Sequence, residues 1–286
     1  MPTAATATVV GMRVEIARMS ARHPAARSGA APALKSLSLT VAAGEQVAVI
    51  GPSGAGKTTL LHALACALKP AAGRLLLDGA DPWTLPTAQL QRLRGRLFLA
   101  PQTPPLPPRQ RVITSILAAR LPRMGLWRSL RSLLYPDDIA GAHQALASFD
   151  LAHKLWERVD RLSGGERQRI GLARALLSPA NLWLVDEPLS ALDPARARQA
   201  IDTLTQAAQD RGVTLVATLH QVDVATRFPR VIGLRDGELA FDLPAAEVTQ
   251  AKLAQLYAQH EHELTGAPPP AETGPIAAPA VTMVCR

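Results

Sequence analysis

The sequence contains few cysteines and no long apolar run. Its two cysteines, Cys66 and Cys285, lie far apart in the chain. They form neither a disulfide framework nor a metal-binding pair, so we expect a reducing, cytoplasmic compartment. No segment comes near the ~20 consecutive apolar residues that a membrane-spanning helix requires. The first ten residues lack the basic start and apolar stretch of a secretory signal, so we expect that they are not a signal peptide.

Aromatic residues are also scarce, at 3% of 286 residues. A protein that binds single-stranded nucleic acid would need more of these stacking platforms, so this class of function is disfavoured. The 31 Lys and Arg residues outnumber the 23 Asp and Glu residues, for a net charge of +8. This excess indicates an anionic partner such as a nucleotide, nucleic acid or a membrane surface. Apolar residues at 48% suffice for a packed core and exclude a wholly disordered chain.

Short apolar segments alternate with helical ones over most of the sequence. The β-branched run at 46–50 is typical of a strand buried on both faces, because every residue after Gln46 is apolar. The strands that the sequence predicts cover residues 9–16, 34–41, 46–50, 74–77, 182–185, 213–218 and 231–234. Helices are predicted over 60–68 and 194–210. Together they predict an α/β fold with a doubly wound parallel sheet.

Residues 103–160 differ in composition and periodicity from the segments around them. The stretch opens with PPLPP, and helical periodicity follows at 113–121, 126–134 and 139–149. It therefore predicts an inserted helical subdomain. The expected organisation is a core of 9–102 and 161–245, the insertion of 103–160, a C-terminal helix at 246–264 and a tail at 265–286. The tail is rich in proline and alanine, which predicts disorder.

A glycine-rich loop joins the buried strand at 46–50 to an apolar helix. It reads GPSGAGKTT and fits the pattern G-x-x-x-x-G-K-[ST], in which backbone N–H groups converge on phosphate oxygens. In this pattern Lys57 reaches the β- and γ-phosphates and the Thr58 hydroxyl binds Mg²⁺. The flanking strand and helix disfavour a merely flexible loop. The predicted nucleotide-binding residues here are Gly51, Pro52, Ser53, Gly54, Ala55, Gly56, Lys57, Thr58 and Thr59.

Two carboxylates, Asp186 and Glu187, end the apolar strand at 182–185. A buried parallel strand carries charge only at its carboxyl end, where ligands bind in open α/β sheets. We predict that Asp186 holds Mg²⁺ through water and that Glu187 polarises the attacking water. The alternative is a polar strand end or a helix cap before Pro188. The phosphate-binding loop upstream favours the catalytic interpretation.

The segment LSGGERQR precedes an Ala- and Leu-rich helix. Ser163 and Glu166 have the spacing of a capping box, which accounts for both residues by structure alone. The two glycines between them cost about 1 kcal/mol each in helix propensity, so they indicate a close approach to the backbone. A capped helix start with bare N–H groups is also an anion site, and the two interpretations are compatible.

These motifs resemble, in order and spacing, the ATP-binding subunit of ABC transporters. The resemblance covers residues 9–240 and includes GPSGAGKTT, LSGGERQR, LWLVDEP and SALDP; LSGGE is the most specific of them. It implies a P-loop NTPase (RecA-like) parallel-sheet core with an N-terminal antiparallel β subdomain and the inserted helical subdomain. It also implies ATP and Mg²⁺ as ligands and ATP hydrolysis as the reaction.

The resemblance further implies roles for individual residues. Gln102 resembles the Q-loop glutamine that senses Mg²⁺ and γ-phosphate, Glu187 the catalytic carboxylate and His220 the switch histidine. The signature residues Ser163, Gly164, Gly165 and Glu166, and Asp193 of the D-loop at 190–193, would bind nucleotide across a dimer. One position departs from the family, because His23 stands where an aromatic residue usually stacks on adenine.

The partners that the resemblance implies are a second copy of the chain and transmembrane permease subunits. An exported solute-binding protein would act indirectly, no direct nucleic-acid contact is expected, and the chain would lie peripherally on the cytoplasmic face of the inner membrane. The segments at 125–130, 219–225 and 232–238 are similar to phosphonate-import ATPases. Weaker alternatives are an importer ATPase for another small solute, a soluble ABC ATPase of phosphonate breakdown or nucleic-acid work, and a regulator without turnover.

Between residues 92 and 131 the chain carries nine arginines and no Asp or Glu; we call this segment the arginine belt. One interpretation is a solvated charged face. The other is a surface that faces the permease and the anionic leaflet, where each Arg contributes about 1 kcal/mol. The arginines are Arg92, Arg94, Arg96, Arg109, Arg111, Arg120, Arg123, Arg128 and Arg131.

Overall fold

Two β-sheets organise the part of the chain that this computed structural model describes, residues 11–23 and 31–258. In these residues the strands are β1 Val14–Ala21, β2 Leu34–Val41, β3 Gln46–Ile50, β4 Ala72–Leu77, β5 Leu97–Ala100, β6 Leu182–Asp186, β7 Thr214–Thr218, β8 Arg230–Arg235 and β9 Glu238–Pro244. The predicted tail at 265–286 and residues 259–264 of the predicted helix at 246–264 lie outside the described residues; within them, the α-helix in this range spans only Gln250–Leu256.

The larger sheet has six strands in the order β5-β6-β7-β3-β8-β9. Its first five strands are mutually parallel, which confirms the predicted parallel core. Every residue of β3, β6 and β7 is buried, in keeping with the apolar residues that fill the strand interiors, and their polar residues stand only at the strand ends. In register, Thr218 at the end of β7 lies beside both Asp186 of β6 and Val49 of β3.

The smaller sheet is antiparallel, with the order β2-β1-β4, as the resemblance implied. The strand predicted at 9–16 is displaced, because β1 runs from Val14 to Ala21. It extends past Ile16 because β2 and β4 pair with its two edges, with register shifts on both sides. Residues 9 and 10 lie outside the described part.

The helices are α1 Lys57–Leu64, α2 Thr87–Arg94, α3 Val112–Leu117, α4 Leu126–Leu134, α5 Ile139–Ala147, α6 Gly164–Leu177, α7 Pro194–Asp210, α8 Val222–Ala225 and α9 Gln250–Leu256. The prediction of 194–210 is confirmed. The prediction of 60–68 is wrong at both ends, since α1 begins at Lys57. It ends early because Cys66 takes a left-handed backbone conformation, with φ of 54°.

Residues 103–160 contain the helices α3, α4 and α5 at the three segments of predicted helical periodicity, and α3 and α5 pack against α6. The helix predicted at 113–121 is shorter, because α3 gives way at Leu117 to a 3₁₀ turn over Ala118–Arg123. Pro122 lies in this turn, and a residue without an N–H cannot continue an α-helix. None of the helices in the described residues is both long and apolar enough to cross a bilayer.

Two strands of the larger sheet, β5 and β9, were not predicted. The strand β9 pairs antiparallel with β8 through the two-residue turn Asp236-Gly237. Both turn residues have positive φ, at 52° and 83°, as a type I′ hairpin requires. The Asp-Gly pair was a signal for this hairpin, and it places an antiparallel edge on the parallel core.

Candidate functional site

The phosphate-binding loop runs from the end of β3 at Ile50 to the start of α1 at Lys57. Its backbone turns through Gly56, which has a φ of 99°. A Cβ at this position would lie 2.5 Å from the carbonyl oxygen of Ala33, so only glycine fits the turn. The loop is therefore built so that its backbone and the first turn of α1 face one cleft.

Lys57 is buried, with 4% of its side chain exposed. Its ammonium group donates hydrogen bonds to the carbonyl oxygens of Gly51 at 2.7 Å and Pro52 at 3.2 Å. The Nζ atom also lies 3.9 Å from Oε1 of Glu187. The loop thus holds a single buried point charge, which suits the predicted contact of Lys57 with the β- and γ-phosphates of a nucleotide.

The carboxylate of Asp186 lies beside the Thr58 hydroxyl. Its Oδ1 accepts a hydrogen bond from Thr58 Oγ1 at 3.3 Å and one from Thr218 Oγ1 at 2.7 Å. Hydroxyl and carboxylate oxygens suit Mg²⁺, which takes one or two protein ligands and completes its shell with phosphate oxygens and water. These neighbouring oxygens therefore fit the predicted metal role of Thr58 and Asp186.

Glu187 has an unusual backbone for a residue other than glycine, with a φ of 45°. Its N–H donates to the Thr218 hydroxyl at 3.0 Å and to the Thr218 carbonyl at 3.2 Å. The side chain accepts a hydrogen bond from Gln102 Nε2 on Oε2 at 3.0 Å, and His220 Nε2 lies 2.5 Å from Oε1. The structure therefore brings all three predicted catalytic residues together.

The pKa of Glu187 lies below that of an ordinary glutamate. Burial raises this pKa, but the hydrogen bond and charge of His220 and the charge of Lys57 together outweigh burial. The carboxylate is therefore ionised at neutral pH, as a group that polarises water must be.

Thr218 is a site residue that the sequence reasoning missed. It is fully buried at the end of β7. Its hydroxyl donates to Asp186 and accepts from the N–H of Glu187, so one oxygen connects both carboxylate residues. The available signal was a hydroxyl residue at the carboxyl end of an apolar strand, next to the strand that carries the two carboxylates.

The signature segment forms the capping box that its spacing predicted. Ser163 Oγ accepts from the N–H of Glu166 at 3.2 Å, and Glu166 Oε2 accepts from the N–H of Ser163 at 2.8 Å. The latter bond is the main cause that lowers the pKa of Glu166. At Gly165 a Cβ would lie 2.9 Å from the carbonyl oxygen of Ala191. The close approach that this glycine permits is thus made by the 190–193 loop.

Two separate clefts hold the predicted nucleotide-binding residues. The phosphate-binding loop, Glu187 and His220 line an open cleft of about 340 Å³, and His23 lies at the same cleft. Ser163, Gly164, Gly165 and Glu166 line another cleft of about 710 Å³ together with Asp193. Among the described residues, no member of the phosphate-binding loop lines the second cleft. One copy of the chain thus does not bring its two sets together.

Asp193 has a structural role at the start of α7. Its Oδ1 accepts from the N–H of Arg196 at 3.0 Å, and this bond lowers the pKa of the Asp193 carboxyl. The residue therefore caps the helix. Its predicted contact with nucleotide stays a prediction.

Comparisons with known proteins agree with this geometry. The profile of the ABC transporter family matches residues 34–190. The phosphonates import ATP-binding protein PhnC of Polaromonas sp. (strain JS666) is 66% identical over 277 residues, which is 96% of this chain and 100% of that protein. The phosphonates import ATP-binding protein PhnC 2 of Albidiferax ferrireducens is 68% identical over 256 residues, 89% of this chain and 92% of that protein.

A solved structure shares the fold as well. The dimeric structure of the ATP-binding cassette MJ0796, in a post-hydrolysis state bound to ADP and Pi, has a TM-score of 0.69 and 26% sequence identity. The match covers 81% of this chain and 98% of that chain. The family match over more than half of the sequence, and relatives at this level of identity, show that the chain belongs to the ABC transporter family.

Proposed function

We propose that this ABC ATPase powers the uptake of phosphonates, or of phosphonate-like oxyanions that also contain phosphorus, through a membrane permease. The supporting observation is the cleft in which Lys57, Thr58, Glu187 and His220 meet, in a chain 66% identical to a phosphonates import ATP-binding protein over nearly its whole length. The relatives supply the solute class, and the cleft supplies the chemistry of ATP hydrolysis.

The working unit in this proposal is a pair of chains. The signature helix presents its capped N-terminus to a cleft separate from that of the phosphate-binding loop. A nucleotide that contacts both sets must therefore take one from each copy. The capped start of α6 offers bare N–H groups and the positive end of the helix dipole to the phosphates held by the other copy.

The residues of the cleft divide the work of hydrolysis. Lys57 neutralises phosphate charge, Glu187 accepts a proton from the attacking water, and His220 orients Glu187 through the Nε2–Oε1 contact. Gln102 donates to the other oxygen of the same carboxylate. In this proposal Gln102 therefore responds to the γ-phosphate that Glu187 faces. Thr58, Asp186 and Gln102 would hold Mg²⁺, which supplies charge neutralisation at the β- and γ-phosphates when bound.

The permease is proposed to dock on the inserted helices. In α4 the side chains of Leu126, Trp127 and Leu130 face solvent, at 73%, 84% and 50% exposed, whereas Ser132 is buried. Exposed aromatic and apolar side chains beside arginines are typical of protein interfaces. This face adjoins the C-terminal part of the arginine belt, and we place both at the cytoplasmic side of the membrane.

Reconstitution tests the proposal. The chain is co-expressed with candidate permease and solute-binding subunits and placed in proteoliposomes. A binding protein loaded with a phosphonate should stimulate ATP hydrolysis, whereas one without ligand, or exposed only to sulfate, should not. A matched Lys57→Ala complex should remain inactive throughout, because its phosphate cradle lacks the cation. Equal stimulation by sulfate would contradict phosphonates as the transported class of solute. Nucleic-acid retention that falls steeply with salt, without permease association, would support the soluble alternative.

A further inference from the structure

Gln168 lies one turn into the signature helix α6 and is 6% exposed. Both ends of its side-chain amide are used by the 190–193 loop. Its Oε1 accepts a hydrogen bond from the N–H of Ala191 at 2.9 Å, and its Nε2 donates to the hydroxyl of Ser190 at 2.7 Å. An amide is the side chain that offers an acceptor and a donor in one rigid plane, which matches this pair of contacts.

The loop that Gln168 holds is itself exposed. Ser190 and Ala191 both face solvent, so their own side chains bury little apolar surface that would fix their positions. The close packing of Gly165 against the Ala191 carbonyl brings the helix start and the loop into contact. The two hydrogen bonds from Gln168 then set the register between them, because each is directional.

This contact joins two parts of the hydrolysis machinery. Gln168 lies two residues after Glu166 of the capping box, and Ser190 lies three residues after Glu187 on the same loop. Gln168 also lines the cavity around Gln102 and Pro188, so it sits where the Q-loop, the signature helix and the loop after Glu187 meet. A shift of α6 is therefore passed to the backbone that follows Glu187.

We propose that Gln168 is a positioning residue for ATP hydrolysis, which ties the 190–193 loop to the signature helix and transmits movement of that helix to Glu187. This role rests on the proposed pairing of two chains, because the signature helix meets nucleotide only in the pair. Gln168 itself lines neither the phosphate-binding cleft nor the cleft that opens in front of Ser163 in the described residues. It acts through the loop, not on the nucleotide.

Three variants of the full-length chain separate positioning from packing. Gln168→Met keeps the volume and removes both hydrogen bonds; Ser190→Ala removes one of them at an exposed position. Gln168→Glu keeps an acceptor for the Ala191 N–H, and the Ser190 hydroxyl can turn to donate to its other oxygen. The matched control is Gln144→Met, on the exposed face of α5. Each is measured for ATP affinity, kcat and melting temperature.

We expect Gln168→Met to lower kcat by about tenfold or more while ATP affinity changes less than about twofold, because the cradle is intact. Gln168→Glu should recover most of kcat. The Gln168→Met and Ser190→Ala effects should be less than multiplicative when combined, since both break the same contact. The Gln144→Met control should match the parent.

Several outcomes would overturn this role. A Gln168→Met chain with parental kcat, a kcat loss that Gln168→Glu does not recover, or fully multiplicative effects with Ser190→Ala would each leave Gln168 a packing residue. If Gln168→Met lowers the melting temperature below the assay range, Ser190→Ala decides alone, and parental kcat there rejects the proposal. ATP-dependent pairing of the Glu187→Gln variant is measured in parallel. If it does not pair, the proposed pairing of two chains is contradicted. If it pairs, a negative result with the Gln168 variants contradicts only the role of Gln168.

Discussion

The Nε2 atom of His220 lies 2.5 Å from Oε1 of Glu187, at the point where two parallel strands end. Glu187 directly follows β6 and His220 lies two residues after β7. Gln102, which donates to the other carboxylate oxygen, follows β5. Because adjacent parallel strands end at one edge of the sheet, their first loop residues converge there. Strand order thus assembles a carboxylate with a partner on each oxygen from distant parts of the sequence.

Replacing Glu187 with Gln should separate ATP binding from hydrolysis. The amide removes the negative charge that polarises water but leaves the Lys57 cradle and the Asp186–Thr58 contact in place. We expect ATP affinity near that of the parent and kcat lower by about a hundredfold or more. The chain should accumulate as an ATP-dependent dimer on size-exclusion chromatography. Elution as a monomer with saturating ATP would contradict the shared-site mechanism.

Replacing His220 with Ala should raise the pKa of Glu187. The His220 hydrogen bond and charge are among the influences that hold this pKa low against burial, so burial dominates once they are removed. The pKa of the carboxyl can be followed by NMR of ¹³C-labelled glutamate, with Glu187→Gln to assign the signal. An unchanged Glu187 pKa in the variant would show that His220 does not set it.

The same shift predicts how stability depends on pH. The pKa of Glu187 is lower in the folded chain than its ordinary value, so its ion-pair contribution is present above the unfolded-state pKa and is lost as pH falls through the folded-state pKa. The melting temperature of the parent should therefore exceed that of His220→Ala most clearly near neutral pH. This difference should shrink towards acid pH, and a constant difference would count against the pairing.

Much of the site could be predicted from sequence because its motifs are local. The phosphate-binding loop, the capping box at Ser163 and Glu166, and the acidic strand end each occupy one short segment, and their roles follow from their own spacing. Thr218 could not be predicted as a site residue in this way, because it belongs to no local motif. Its importance arises from the order of β3, β6 and β7, which places it between Asp186 and Val49 only in the folded sheet.

The fold follows the same division. The strand β3 could be predicted from the four apolar residues that follow Gln46, and α7 from a long periodic segment between Pro194 and Asp210. The four-residue β5 is too short for any periodicity, and it is a strand because it pairs with β6 along the edge of the sheet. The bounds of α1 depend on left-handed residues at Gly56 and Cys66, which propensity does not predict.

Replacing Thr218 with Val tests that residue directly. Valine keeps the shape and burial but removes the hydroxyl that bonds Asp186 and the Glu187 N–H. Among the described residues, the Asp186 carboxylate then keeps only the longer bond from Thr58, and the Glu187 N–H keeps only its bond to the Thr218 carbonyl. We expect a cost of about 1–3 kcal/mol, because one of the lost bonds is to a charged carboxylate. We expect a lower melting temperature and a kcat that needs more Mg²⁺ to reach half its maximum, with Thr218→Ser recovering both. Parental magnesium dependence in the valine variant would confine Thr218 to a structural role.

Several arginines of the arginine belt form ion pairs with nearby carboxylates, which its sequence does not suggest. Arg128 and Arg131 share the carboxylate of Asp137 at 3.0 and 3.2 Å, and Arg120 pairs with Asp138. The hydrogen bond from Arg128 is the leading cause that lowers the pKa of Asp137, so the pairs that Arg128 and Arg131 form with Asp137 persist at neutral pH. Part of the belt therefore belongs to local structure, and the exposed apolar side chains of α4 become the stronger candidates for contact with a permease.

This reassessment predicts an order of effects for permease binding. Trp127→Ser removes the most exposed large side chain of the α4 face, so association should weaken more than with Arg128→Glu, which also breaks one exposed ion pair of small worth. Trp156→Ser is the matched control, because Trp156 is 51% exposed outside α4. Co-sedimentation with permease-containing membranes measures association, and nucleotide binding on the free chain should stay constant.

If Trp127→Ser and Trp156→Ser sediment equally, α4 is not the docking face. A larger loss with Arg128→Glu would restore the belt as the main contact, through charge that salt then screens.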